Sequence, residues 1–230
     1  MIRLLLAAVF LLFAGPAWAA ERAVGIGTFD RIRIDGAFDV RITTGKSPRA
    51  TLSGDSRALE FVDLRVDGTT LTLRRRSDDV ATSRTAASPV VVTLSAQTLQ
   101  SAAMLGGGRL TIAGMRTTRA DLSIAGTGTI AVQGMDAQQA NASVVGGGTI
   151  TLTGRALQAR LSTNGPGAID ASRLVSDILV VRLDGPGETL AQARYVATVS
   201  TTGLGRVVVT GNAKCTVRAP AGGAVVCGAP

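Results

Sequence analysis

The chain has 230 residues, with 24 Lys or Arg against 16 Asp or Glu, a formal charge of +8, and no His. Without imidazole, Ser-His and Cys-His nucleophilic pairs and His-ligated metals are excluded. Aromatic residues make up 3% of the chain, too few for a core built on rings, so the interior is expected to be aliphatic.

The first segment reads as a signal peptide over residues 1–19: Arg3, an apolar run from Leu4 to Phe13, a break at Gly15-Pro16, and Ala17-Trp18-Ala19 as the cleavage pattern. The run is well short of the roughly 20 residues a spanning helix needs. This predicts an exported chain, periplasmic or at the cell surface or secreted, with no transmembrane segment after cleavage. The body is expected from residue 24 to 230 as one domain. Phe29-x-x-Ile32-x-Ile34 and Phe38-x-Val40-x-Ile42 alternate as short strands around Asp35-Gly36. Leu64-x-Val66, Asp67-Gly68 and Leu71-x-Leu73 form a hairpin or a coil corner. The polar residues 77–88 read as a loop before Val90-Val91-Val92-Thr93-Leu94. Residues 24–95 are thus taken as the first coils and cap.

From residue 96 onward a repeat takes over. Gly-x-Gly pairs fall at Gly106/Gly108, Gly126/Gly128, Gly146/Gly148, Gly165/Gly167, Gly185/Gly187 and Gly203/Gly205, and Gly222-Gly223 follows. The steps are 20, 20, 19, 20, 18 and 19 residues. Glycine supplies backbone angles that turn the chain without Cβ clashes, so both members of each pair are assigned as turn glycines. A second glycine sits eight residues on, at Gly114, Gly134, Gly154 and Gly211, with Arg173 in its place once. Between glycines, apolar residues alternate: Leu122, Ile124, Ile130 and Val132, preceded by Ala102, Met104, Leu110 and Ile112, and followed by Ala142, Val144, Ile150 and Leu152. A unit of two short strands cannot bury its apolar face alone, whereas stacked coils can. The expectation is an all-β, single-stranded β-helix with coils of about 20 residues. Its right hand follows from the usual hand of parallel crossovers. Cys215 and Cys227 align with Ala197 and Val209, on the core-facing sides of opposite walls, and are expected to form a disulfide.

Phe29-Asp30-Arg31-Ile32-Arg33-Ile34-Asp35-Gly36-Ala37-Phe38-Asp39-Val40, the Val90-to-Leu99 strand and the Gly-x-Gly-x-Ile coils resemble the putative auto-transporter adhesin, head GIN domain family, over roughly residues 26 to 215. The resemblance implies an exported β-helix and a surface-attachment role. The Gly-Ile-Asn triplet behind the family name is absent; Gly128-Thr129-Ile130 and Gly148-Thr149-Ile150 stand in the comparable turns.

Chemistry is harder to find. No Gly-Lys-Ser/Thr follows the glycine turns, so they are not phosphate loops, and they lack the Asp of calcium-binding repeats. No catalytic, cofactor or metal residue is assigned and no cofactor is expected. Asp184, one coil after Asn164, precedes a Gly-Pro-Gly turn and is expected to bond the turn backbone. A polysaccharide-active alternative would pair it with Asp170 or Asp177. The arginines do not cluster with aromatics, so no nucleic acid is expected. Ser123, Ser143, Thr149 and Thr151 form outward polar positions. The leading reading is a non-enzymatic envelope or adhesin-like scaffold whose partner is unknown, with a polysaccharide or an envelope protein as the classes considered. A third reading, end-to-end assembly, needs an uncapped solenoid end.

Overall fold

The computed structural model describes residues 20–76 and 90–229. The segments read as a signal peptide and as the 77–88 loop lie outside the described residues. In chain order the elements are β1 (Ala20–Val24), β2 (Arg31–Asp35), β3 (Phe38–Thr44), β4 (Arg49–Gly54), α1 (Ser56–Glu60), β5 (Val62–Asp67), β6 (Thr70–Arg75), β7 (Val91–Ala96), β8 (Ser101–Gly106), β9 (Gly108–Gly126), β10 (Thr129–Val145), β11 (Thr149–Asn164), β12 (Ala168–Asp184), β13 (Glu188–Thr201), β14 (Arg206–Thr210), β15 (Lys214–Arg218) and β16 (Ala224–Ala229). The first strand starts at Ala20, four residues before the expected domain start at 24.

The strands stack as parallel coils into a β-solenoid of about 6 turns, 20 residues apart. Each of the long strands β9 to β12 makes most of a coil. Its first part builds one wall, a corner leads to a short side, and its last part builds the second wall. A Gly-x-Gly turn then joins it to the next coil. Inward positions repeat from coil to coil. On the first wall, Val40, Leu110, Ile130, Ile150, Ile169, Thr189 and Val207 lie in one register. On the second, Ile32, Ala102, Leu122, Ala142, Leu161, Val181 and Val199 do the same. All of these are buried. Their burial in a continuous ladder supplies the main stabilisation, at roughly 25 cal/mol per Å² of apolar surface removed from water.

The two glycines of most turns meet different demands. The first, at Gly106, Gly126, Gly146, Gly165 and Gly185, has a left-handed φ that turns the chain: Gly126 has φ +130°, and a Cβ there would lie 2.5 Å from the Gly106 carbonyl oxygen, whereas Gly203 has no such φ. The second glycines Gly128, Gly148, Gly167, Gly187 and Gly205 are buried, and none of them has a left-handed φ. They are needed for close packing, not for a special backbone angle. A Cβ on Gly148 would sit 2.6 Å from Ile124 Cγ2, and one on Gly167 2.6 Å from Val144 Cγ1. On Gly187 it would meet the Gly165 carbonyl oxygen at 2.8 Å, and on Gly205 it would meet Leu183 Cδ2 at 2.6 Å. In each case the obstacle belongs to the coil beneath, so the lack of a side chain is what lets the backbones approach. Gly108, with φ +136°, is the second glycine that also turns the chain.

Where Arg173 replaces the corner glycine, the ladder slips instead: Thr151 pairs Asp170 and Thr153 pairs Arg173. That bulge turns the corner without a left-handed residue, since no non-glycine among the described residues has positive φ.

The N-terminal segment departs from simple succession. β2 and β3 form a coil, but the next strands do not stack upon it in order. β6 and β7 lie beneath them and β8 and β9 above, so the coil formed first is sandwiched between two formed later. β4 then adds antiparallel to β7 on the first wall and β1 antiparallel to β4, so β1 again runs with the coils, while β5 adds antiparallel to the second wall as a hairpin with β6. Between β4 and β5, α1 crosses this end with Ala58 and Leu59 buried. Asp55 caps the helix, its side chain accepting from the amides of Arg57 and Ala58 at 3.0 and 3.2 Å.

At the other end β15 and β16 follow β13 and β14, with Cys215 opposite Ala197 and Cys227 opposite Val209. A disulfide joins the two cysteines.

Candidate binding groove

The short side of the coils carries the most organised polar arrangement on the molecule. Just beyond the corner glycines the chain runs for two or three residues before entering the second wall. Met115, Met135 and Leu174 point inward and are buried. The neighbouring residue, alternating outward, is Arg116, Asp136, Arg155 and Val175 in successive coils, in direct register. Stacking therefore sets Arg, Asp and Arg in a row at the coil spacing of ~4.8 Å.

Asp136 is the centre of this row. Arg155 donates to it through Nε and Nη2 at 2.9 and 3.0 Å, while Arg116 Nε stands 3.5 Å away on the other side. The Arg155 bond, helped by the charges of Arg155 and Arg116 against a smaller burial effect, holds the Asp136 carboxyl below its ordinary range. Asp136 in turn raises Arg155. Farther along, Arg194 Nη1 donates to Asp177 at 3.2 Å, and the Arg194 guanidinium lies 5.1 Å from the centre of the Tyr195 ring. Arg116, Asp136, Arg155, Asp177 and Arg194 line a groove of about 850 Å³, with Ala137, Ala156, Leu157 and Val175 as its apolar surface. Leu157 is 56% exposed there, and Tyr195, which follows Arg194 in the chain and is not part of the lining, is 57% exposed.

The groove was not visible in the linear reading. Arg116, Asp136 and Arg155 do recur at the repeat interval, so aligning the coils and scanning the column after each corner glycine would have found them. Of the carboxylates considered for catalysis, only Asp177 lies in the groove. Asp170 stands on the first wall and accepts from the amide and hydroxyl of Ser172 at 3.1 and 2.6 Å. Asp184 ends the second wall in register with Asn164, and its side chain accepts from the Thr202 hydroxyl one coil on. That bond replaces the turn-backbone contact expected for it. The outward hydroxyls also divide: Ser123 and Ser143 are in register on the second wall, while Thr149 and Thr151 belong to the first.

The sequence profile of the family described as "putative auto-transporter adhesin, head GIN domain" matches residues 28–213. The chain belongs to the head GIN domain family. Among solved structures, this head GIN domain protein is similar to a putative adhesin from Bacteroides fragilis at TM-score 0.81 and 20% identity, covering 91% of this chain and 96% of the other. A putative adhesin from Parabacteroides merdae matches at TM-score 0.72 and 17% identity, covering 92% and 96%. A putative lipid binding protein from Parabacteroides distasonis matches at TM-score 0.71 and 17% identity, covering 92% and 97%. At these identities the likeness concerns the fold. No curated protein matches the sequence.

Proposed function

We propose that this head GIN domain protein is an exported, non-catalytic binding module, and that its short-side groove holds an extended polysaccharide chain. The observation that carries the reading is the Arg116–Asp136–Arg155 row, continued by Asp177–Arg194, along a groove parallel to the solenoid axis. A guanidinium only donates hydrogen bonds and a carboxylate only accepts them, so alternating pairs offer both partners that sugar hydroxyls need. Ion pairing keeps these groups ionised and oriented before a ligand arrives. Leu157 and Val175 supply apolar surface against which sugar faces pack.

The non-catalytic half of the reading is supported by the placement of the acids. Asp170, Asp177 and Asp184 lie on the first wall, in the groove and beside a turn, each with its own hydrogen-bond donor. Asp170 and Asp184 lie outside the groove, so neither pairs there with Asp177 across a bound chain. The adhesin names carried by the family and by its structural relatives agree with a binding role.

The test is affinity electrophoresis against a panel of neutral and acidic polysaccharides. The wild type is expected to be retarded by at least one polymer, and Arg116→Ala/Arg155→Ala to bind it at least about tenfold more weakly, from loss of charged hydrogen bonds. Asp184→Ala is expected to bind as the wild type does. A panel with no retardation would overturn the reading, and release of shortened products would replace it with a catalytic one.

A further inference from the structure

The second wall carries a different surface over its last coils. Three outward rows run there: Ile178–Val196–Lys214, Val180–Thr198–Thr216 and Arg182–Ser200–Arg218, with Arg160 in register beside Val180. Ile178 and Val196 are each 42% exposed, neighbours on a flat sheet. Around them stand Arg160, Arg182, Lys214 and Arg218, all exposed and none within ion-pair distance of a carboxylate among the described residues. From the strand spacing and the rise per residue, the patch measures roughly 13 by 14 Å.

Its charge is one-sided for a reason visible in the chain. No Asp or Glu occurs after Glu188, while Arg194, Arg206, Lys214 and Arg218 do. The acids nearest the patch are Asp177, held by Arg194, and Asp184, at the turn beside Thr202. The first wall contrasts with this: Arg41 pairs Asp39 and Arg206 pairs Glu188.

We propose that this face docks on an anionic lipid surface. Four uncompensated cations around two aliphatic tips match a layer of negative headgroups with acyl chains beneath. The flatness of the wall suits a plane. A polyanionic glycan would gain from the cations alone and would leave Ile178 and Val196 unmatched. The docking face shares no residue with the groove, which ends beside it at Asp177 and Arg194, and its argument does not use the polysaccharide reading.

Cosedimentation with vesicles tests it, polysaccharide being absent. The protein is expected to pellet with vesicles of phosphatidylcholine and phosphatidylglycerol, not with phosphatidylcholine alone, and to release as salt rises. Arg182→Gln/Arg218→Gln is expected to weaken binding about tenfold or more. Ile178→Ser/Val196→Ser also weakens it without changing the net charge. Arg109→Gln, which removes one charge from the first wall, leaves it unchanged. Equal recovery on neutral vesicles, or an equal loss in Arg109→Gln, would overturn the proposal. So would binding to a soluble anionic polysaccharide without binding to either vesicle.

Discussion

The two ends of the solenoid meet the same physical problem by different means. A stack of coils exposes an apolar cross-section wherever it stops, and free strand edges beside it. At the N-terminal end the chain solves this with packing: β4 and β5 run antiparallel to the coils, β1 pairs along the outer edge of β4, and α1 lays Ala58 and Leu59 over the interior. Among the described residues the C-terminal end carries no such layer. Val217, in register with the buried Val199, is 44% exposed, and a disulfide from Cys215 to Cys227 spans the two walls. One end is held by buried surface and the other by a covalent bond. An uncapped end is what end-to-end assembly would need, but Lys214 and Arg218, with no acid near them in sequence, would set like charges against each other if two such ends met.

That contrast can be broken from the middle outward. Gly148→Val forces a side chain against Ile124 and the Gly128 carbonyl in the centre of the stack, and should cost more than about 4 kcal/mol by denaturant unfolding, loosening both halves. Cys215→Ser/Cys227→Ser removes a cross-link of sequence separation 12 and should cost about 3 kcal/mol. Hydrogen exchange should then rise in β14 to β16 and stay unchanged in β4 to β6. Leu59→Ala has the reciprocal pattern, with a loss of about 2–3 kcal/mol and faster exchange confined to the N-terminal end.

The smallest effect concerns the β5–β6 hairpin. Asp63 is buried and accepts from Arg65 and Arg74 at 2.8 and 2.9 Å. Burial by itself raises its pKa, but the bonds and charges of Arg74 and Arg65 outweigh that and leave it lowered. A carboxyl with a lowered folded pKa contributes stability that is fully present above its unfolded value, about 3.9, and is lost as pH falls through the folded value. The N-terminal end should therefore lose stability below about pH 4. Asp63→Asn, costing about 1–2 kcal/mol at neutral pH, should flatten that acid limb in a series of unfolding curves.

The regular coils were legible because glycine spacing and period-two alternation are both local signals that repeat. Leu122, Ile124, Ile130 and Val132, with their counterparts one coil to either side, are buried as the alternation requires. The cysteines were placed by the same register, against Ala197 and Val209. The glycine pairs were legible in position but not in role: spacing locates Gly167, Gly187 and Gly205, whereas only the stacked coils reveal that they are buried for close approach. What escaped entirely lacks repetition. α1 is five residues long and announced only by Asp55. The sandwiching of β2 and β3 between later strands is a tertiary choice: parallel strands of similar pattern stack in either order, and nothing in Ile32, Ile34, Val40 or Ile42 marks which neighbour comes next. The groove escaped because its residues face outward, where alternation carries no burial signal, and because Arg–Asp pairing becomes visible only when coils are laid side by side.

Hydroxyl-radical footprinting with a retarding polysaccharide bound locates the ligand most directly. Occupation of the short side predicts protection of Leu157 and Val175, with Ile178 and Val196 on the second wall labelled as in the free protein. Protection of Ile178 and Val196 with Leu157 unchanged would place the ligand on a wall and contradict the groove.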